Sequence, residues 1–409
     1  TISAGGRINS GKVPRYIIWK AYAGARIGIF EITAGRDTRT MGLCDTALSS
    51  GSFAVSGNAP GIPSLTISIP DYYSLPFFNG LFAVKGGFSN GLAGKISRKN
   101  AGKIMFLDSF FHQSWFYGRI GKPDGNFRFY GGFNHQVFLG NEKTYYGESF
   151  TLTPAETFLY VITGKSYGNE EIAHSRVGNH LGSLDLGFEL EAGGSRFFVY
   201  RQTFYDIGAL YHMANLRDGL YGLSLTNLKE ADKTFRWKKL TLEYLFTKNQ
   251  AGEYWSPVTP SGDEDYYNNY QFVKGYSYFG YGIGTPFIGT RTYIREDLPD
   301  SPNDYFINNR VIAFHVASEV LIGKWDIVLK SSWSWNRGTY ATSVEGRSLG
   351  SQRFDPEADI FPLSRQYSGF ISLQRKIGET VTAGLRAALD NGQLYRNTSG
   401  ILISFTGDF

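Results

Sequence analysis

The residues of this chain best suited to holding a ligand lie between Gly262 and Tyr281, in the run G-D-E-D-Y-Y-N-N-Y-Q-F-V-K-G-Y-S-Y-F-G-Y. Tyrosine rings offer flat apolar faces with a hydroxyl at one end, and Asn and Asp side chains offer paired donors and acceptors. Trp255 stands just upstream. A sugar asks for this combination: its C–H faces stack on rings while its hydroxyls form hydrogen bonds. The candidate contacts are Trp255, Asp263, Asp265, Tyr266, Tyr267, Asn268, Asn269 and Tyr270. The stretch Asp263–Asn269 suits a structural role equally, and Tyr276, Tyr278 and Phe279 read better as an interfacial aromatic girdle. A second set, Arg337, Arg347 and Arg353, suits acidic sugar groups. Solvation, or pairing with Asp355, Glu357 and Asp359, explains those charges more plainly.

Catalytic patterns are weak by comparison. There is no H-E-x-x-H and no phosphate loop, and carboxylate pairs such as Asp263/Asp265 and Glu170/Glu171 sit in polar stretches. The single cysteine, Cys44, excludes an internal disulfide and a Cys-based zinc site. The six histidines show no metal-ligand spacing, and a net charge of +5 without a basic run argues against nucleic acid. The expectation is a protein that is not an enzyme and needs no cofactor or metal.

The elements that must position these residues are strands. Leu184, Leu186, Phe188 and Leu190 alternate with Ser183, Asp185, Gly187, Glu189 and Glu191. Leu240, Leu242, Tyr244 and Phe246 oppose Thr241 and Glu243; Ile312, Phe314 and Val316 oppose His315 and Glu319; Val381, Ala383, Leu385, Ala387 and Leu389 oppose Thr382, Arg386 and Asp390. Period-two alternation with charges on one face and hydrocarbon on the other fits a barrel with a wet lumen and a lipid-facing wall. Composition agrees. Charged residues are 19%, Gly numbers 50 of 409, and aromatics reach 16%, with no apolar run long enough for a spanning helix. The chain ends G-I-L-I-S-F-T-G-D-F, with Phe405 and Phe409 as interfacial anchors of a last strand expected to pair with the first.

The fold class expected is therefore all-β: one transmembrane antiparallel barrel spanning residues 1–409, with 16–18 strands and 18 as the expected count. Strands are expected near 80–90 and 92–98, across 103–120 as one or two, and at 270–281, among others. The chain shows no signal peptide at Thr1 and reads as mature or trimmed at its start. With Phe409 at the periplasmic end, 322–324 and 377–379 become periplasmic turns, and 337–364 becomes an extracellular loop. One stretch breaks the β pattern. Thr153-Pro154-Ala155-Glu156 has the form of a helix start with a capping box, and Gly164 would stop it; a strand over 156–163 is the alternative. Such a helix within 139–180 is expected to plug or cap the lumen rather than lie in lipid.

Several segments together resemble the Wzi family of capsule-assembly outer-membrane proteins, in the form found in Bacteroidetes. They are L-S-S-G-S-F-A-V-S-G-N-A-P-G-I-P (48–63), G-N-H-L-G-S-L-D (178–185), R-D-G-L-Y-G-L (217–223), E-Y-L-F-T-K-N-Q-A-G (243–252), D-Y-Y-N-N-Y-Q-F-V-K-G-Y-S-Y-F-G-Y-G-I-G-T-P (265–286) and I-N-N-R-V (307–311). The resemblance implies an 18-stranded barrel with a helical plug at the periplasmic side. It also implies a lectin-like, non-enzymatic role, holding capsular or surface polysaccharide at the bacterial outer membrane. Lipopolysaccharide, other outer-membrane lipids and outer-membrane proteins are the further partners expected. The rival functions are an accessory scaffold in a larger outer-membrane machine and a solute-specific porin.

Overall fold

In the computed structural model, the described residues are 2–9, 15–206, 212–229, 234–252, 264–344, 359–378 and 380–407. Sixteen strands follow one another around a single antiparallel sheet in chain order. They are β1 (Ile2–Asn9), β2 (Arg15–Ile27), β3 (Phe30–Arg36), β4 (Pro63–Ser74), β5 (Phe82–Asn100), β6 (Lys103–Ile120), β7 (Phe127–Leu139) and β8 (Asn179–Ala192). The rest are β9 (Ser195–Tyr205), β10 (Gly219–Asn227), β11 (Phe235–Phe246), β12 (Val311–Ile322), β13 (Trp325–Asn336), β14 (Ser364–Ile377), β15 (Val381–Gly392) and β16 (Thr398–Gly407).

The alternation puts the apolar residues outside and the polar ones inside. On β8, Leu184 and Leu186 are 45% and 57% exposed while Asp185 between them is 1% exposed. A soluble sheet does the reverse; this wall faces hydrocarbon outward and encloses its polar groups. Glu189 points inward and accepts a hydrogen bond from buried Arg128 at 2.5 Å. Arg386 lies opposite buried Ser372 on the same inner face.

Sixteen wall strands replace the eighteen expected, for two reasons visible in the register. The stretches 80–90 and 92–98 are one strand, β5, bent by a bulge between Leu92 and Gly94, where Gly94 takes a φ of 73°. The segment 270–281 joins no wall strand. The last strand's expected pairing with the first is also absent among the described residues: β1 pairs with β2 alone and β16 with β15 alone.

Connections at the two ends differ sharply in length. One end carries short turns at 28–29, 75–81, 121–126, 193–194, 228–234, 323–324 and 378–380. Gly193 and Gly194, at φ values of 61° and 77°, make the tight turn that a right-twisted hairpin favours. The other end carries 10–14, 101–102 and 393–397, and with them every connection longer than ten residues: 37–62, 140–178, 206–218, 247–310 and 337–363. Barrels of this class keep short turns inside and long loops outside, so the second end is the outer one.

Two long connections fold back into the lumen. Residues 37–62 are held by inward-facing polar side chains of successive strands. The Leu43 amide donates to Asp185 of β8 at 2.9 Å, and Ser224 of β10 donates to Asp45 at 2.8 Å. Ser49 and the Ser50 amide donate to Glu243 of β11 at 2.6 Å each. Lys330 of β13 donates to the Ala47 carbonyl at 2.7 Å. The described part of 247–310 packs beside it. Phe53 stacks on wall residue Phe204 at 3.9 Å and meets Tyr266 and Tyr267, all four wholly buried. The plug is thus made of loop, not helix.

The helix expected from its capping box exists at α2 (Pro154–Thr163), preceded by a short turn of helix, α1 (Glu142–Tyr146). Glu156 N donates to Thr153 Oγ1 at 3.3 Å, Thr153 N donates to Glu156 Oε2 at 2.8 Å, and Gly164 closes the end at a φ of 63°. Its location corrects the expectation. The segment 140–178 joins the outer ends of β7 and β8, and α2 lies on the outside of the wall. Val161 packs against Val137 and Leu139, whose parity is opposite to that of lumen-facing Phe138. It plugs nothing at the periplasmic side.

Candidate functional site

With 37–62 and 264–310 filling the side of the lumen under β5 to β12, a cavity of about 900 Å³ remains against the inner faces of β12 to β16. Period-two alternation supplies its wall: His315 from β12, Lys330, Ser332 and Ser334 from β13, Gln366 and Ser368 from β14, and Asp390 from β15. The plug supplies the opposite face with Ser49, Ser50, Asn58, Tyr281, Phe287, Thr290 and Tyr293. The β15–β16 connection closes the outer rim with Tyr395 and Arg396.

One side of this cavity is aromatic. Tyr281 lies 5.4 Å from Tyr293, ring to ring, and edge-on to Trp19 at 5.3 Å. Tyr293 is 43% exposed. The other side is rich in hydroxyls and amides. On the plug face, Ser50 Oγ and Thr290 Oγ1 are buried without a hydrogen-bond partner. The charges are already engaged. Arg396 pairs with Glu296 at 2.5 Å, Asp390 accepts from Ser368 at 2.5 Å, and Lys330 is capped by the Ala47 and Ser49 carbonyls. His315 is fixed between Ser332 Oγ and the Leu48 carbonyl, at 2.8 Å each. Stacking surface opposite neutral hydrogen-bonding groups is a recognition surface for polyhydroxylated molecules. Among the described residues no group of three His, Cys, Asp or Glu side chains is placed to hold a metal ion.

No family model and no curated protein matches the chain. Among solved structures it is similar to Wzi of Escherichia coli, described as an outer-membrane protein involved in group 1 capsule assembly and a carbohydrate-binding β-barrel. The TM-score is 0.53 at 11% identity, over 97% of this chain and 71% of that one. The chain has the fold of an outer-membrane β-barrel. At this identity the likeness to Wzi is one of fold. Pseudomonas aeruginosa OccD3 (OpdP) aligns with a TM-score of 0.40 at 11% identity, over 96% of this chain and 78% of that one. BamA of Haemophilus ducreyi lacking POTRA domains 1–3 gives 0.37 at 12%, over 99% and 75%.

The residues singled out in the sequence fall largely elsewhere in this barrel. Asp265, Tyr266, Tyr267 and Asn268 are buried inside the plug. Asp265 accepts from Asn268 and Asn309 at 3.0 and 2.7 Å. Tyr266 donates to Asp218 at 2.7 Å, and Tyr267 donates to the Phe53 carbonyl while accepting from the Thr285 amide at 2.8 Å. Asn268 Oδ1 accepts from the Tyr305 and Phe306 amides at 3.1 and 2.9 Å, and Asn269 Oδ1 accepts from the Gln271 amide at 2.9 Å. These four buried residues and Asn269 build the plug, because a loop buried in a lumen must satisfy its own backbone. Tyr270 is 72% exposed. Tyr276, read as interfacial girdle, is instead buried against Phe111 and Phe138. Arg337 is half-buried at the outer end of β13, its amide bonded to the Arg310 carbonyl at 3.1 Å. Trp255, Asp263, Arg347, Arg353 and Phe409 lie outside the described residues; Phe405 is 74% exposed on the lipid-facing side. The pentad Gly346-Arg347-Ser348-Leu349-Gly350 spells G-x-S-x-G, whose chemistry requires a strand-to-helix turn. It too lies outside the described residues, between wall strands β13 and β14.

The sequence offered one signal for the true cavity wall: Ser332, Ser334, Gln366 and Ser368 are small or neutral polar residues at inward parity. Plug-facing strands carry Asp185, Glu243 and Lys239 at the same parity. Charged inward residues meet buried backbone; small neutral ones leave room.

Proposed function

We propose that this barrel is a Wzi-like, non-catalytic lectin of the bacterial surface, of the Bacteroidetes form that the 265–286 segment resembles. It holds a strand of capsular or surface polysaccharide in the lumenal cavity beneath its outer rim. The observation that carries the reading is the pairing of two aromatic residues, Tyr281 and Tyr293, with a facing wall of Ser and Gln side chains in one cavity of about 900 Å³. The carbohydrate-binding barrel to which the fold is similar supports it. A glycan array probed with the detergent-purified barrel tests it. Retention of defined surface glycans that is lost in Tyr293→Ala and Tyr281→Ala is expected. Absence of any retained glycan, or retention indifferent to both substitutions, sinks the assignment.

A further inference from the structure

We infer that α2 is a membrane-interface element: its outward stripe contacts lipid of the outer leaflet and stands in for the aromatic girdle over one sector of the wall. The helix carries two apolar faces. Val161 is wholly buried against the outer wall, and Phe158 sits edge-on to outward-facing Phe88 and His112 at 6.0 and 5.8 Å. The second face, Ala155 and Leu159 with half-buried Ile162, follows the i, i+4, i+7 spacing and looks away from the protein; Leu159 is 56% exposed. A helix seated on a barrel and surrounded by water has no reason for that second stripe.

Its height on the wall supplies the reason. Elsewhere the same level, two to four residues below the outer strand ends, carries outward rings: Tyr244 against Phe314 at 5.0 Å, and Trp333 against Tyr367 at 5.5 Å. Such rings mark the membrane–water boundary. Under α2 and the segment around it, the wall presents polar groups instead. His135 bonds Tyr205 Oη at 2.7 Å and His180 at 3.2 Å, while His112 Nε2 is buried without a hydrogen-bond partner. Uncovered, His112 Nε2 would face hydrocarbon without a partner and the His135–His180–Tyr205 cluster would lie bare in it, which lipid disfavours. The helix covers them and continues the lipid-facing surface of Phe88, Phe133 and Leu184 with Leu159 and Ala155. That continuity with the established lipid interface selects lipid as the occupant.

The test is a collision-accessibility measurement on the intact barrel in phosphatidylethanolamine–phosphatidylglycerol vesicles. Buried Cys44, the sole cysteine, is replaced by Ala, and one nitroxide is placed at a time by Leu159→Cys, Ala155→Cys or Glu156→Cys. Leu186→Cys supplies the lipid-facing reference and Glu148→Cys, whose side chain is 94% exposed in the same connection, the aqueous one. Labels at 159 and 155 are expected to collide with oxygen in preference to a water-soluble nickel chelate, as at 186, while 156 follows 148. Labels at 159 and 155 that behave like 148 overturn the inference. So does shielding from both quenchers, which would mean that protein covers the stripe.

Discussion

The two sides of this lumen are built from the same period-two pattern and reach opposite states. Under β5 to β12 the inward polar residues are anchor points for a loop plug, and what they enclose is as dry as a protein core: Phe53, Phe204, Tyr266 and Tyr267 are wholly buried. Against β13 to β16 the inward residues Ser332, Ser334, Gln366 and Ser368 line an open cavity. What decides between these outcomes is the side chain that the inward position offers. A carboxylate such as Asp185 or Glu243 is too costly to bury alone and recruits backbone amides, which brings a loop with it. A serine carries no charge to satisfy, and where no loop reaches it, as at Ser332 and Ser334, it leaves space. The cavity therefore lies where β13 and β14 present small neutral residues, next to strands whose inward charges hold the plug.

The first way to break this contrast is at the rim of the filled side. Arg98 is wholly buried, forks onto both oxygens of Glu142 at 2.9 and 3.0 Å, and is sandwiched between the Tyr145 and Phe272 rings. Arg98→Ala leaves an unpaired buried carboxylate and is expected to cost about 3–5 kcal/mol, read in denaturant unfolding of the detergent-solubilised protein. Glu243→Ala comes next. It strands the Ser49 hydroxyl, the Ser50 amide and the Tyr200 hydroxyl. A loss of about 3 kcal/mol is expected, together with faster proteolysis within 37–62 and a measurable rise in single-channel conductance as the plug loosens.

A smaller effect is expected with pH. Asp218, at the outer end before β10, accepts from the Asn249 and Gln250 amides and from Tyr266 Oη, yet burial pushes its carboxyl up to about 7. The folded chain then keeps a proton that the unfolded chain loses near pH 4, so the stability of this clamp falls as pH rises from about 4 to about 7 and is level above. The slope is at most about 1.4 kcal/mol per pH unit. Hydrogen exchange at Asn249 and Gln250, corrected for intrinsic rates, should report it, and Asp218→Asn should flatten the profile. A slope of opposite sign, or one unchanged in Asp218→Asn, would show that another group governs the clamp.

The smallest change in stability belongs to the open side. Tyr293→Ala, at a half-exposed ring in the cavity, is expected to alter unfolding by less than about 0.5 kcal/mol. Glycan affinity should fall about tenfold, equivalent to about 1.4 kcal/mol. If Tyr293→Ala instead destabilises the barrel as much as Glu243→Ala does, the two sides are not distinct and the cavity is simply an underpacked part of the plug.

Much of the wall was legible because a strand with lipid on one side and a lumen on the other writes its faces into alternate residues. Ser183–Glu191 and Thr380–Asp390 gave the facing of β8 and β15 without ambiguity, and the capping box at Thr153–Glu156 gave α2. The plug was not legible. D-Y-Y-N-N-Y has the composition of a sugar site because a loop buried in a lumen needs the same things a sugar does, rings to pack and side chains to satisfy polar atoms. Nor could α2's capping box say which side of the wall the helix would take. That depended on Val137 and Leu139 pairing beside lumen-facing Phe138, a parity fixed only by the register of β7 against β6 and β8.

The one-dimensional pattern therefore determined that these strands form a barrel wall, which faces look outward and, after about residue 290, which end bears the long connections. Those properties depend on residues two or a few positions apart. Where the long connections go, what they fill and what they leave open was decided by contacts between residues as far apart as Ser49 and Glu243, or Phe53 and Tyr267. Local alternation carries no information about such pairs, because it is the curving of the sheet around them that brings them together.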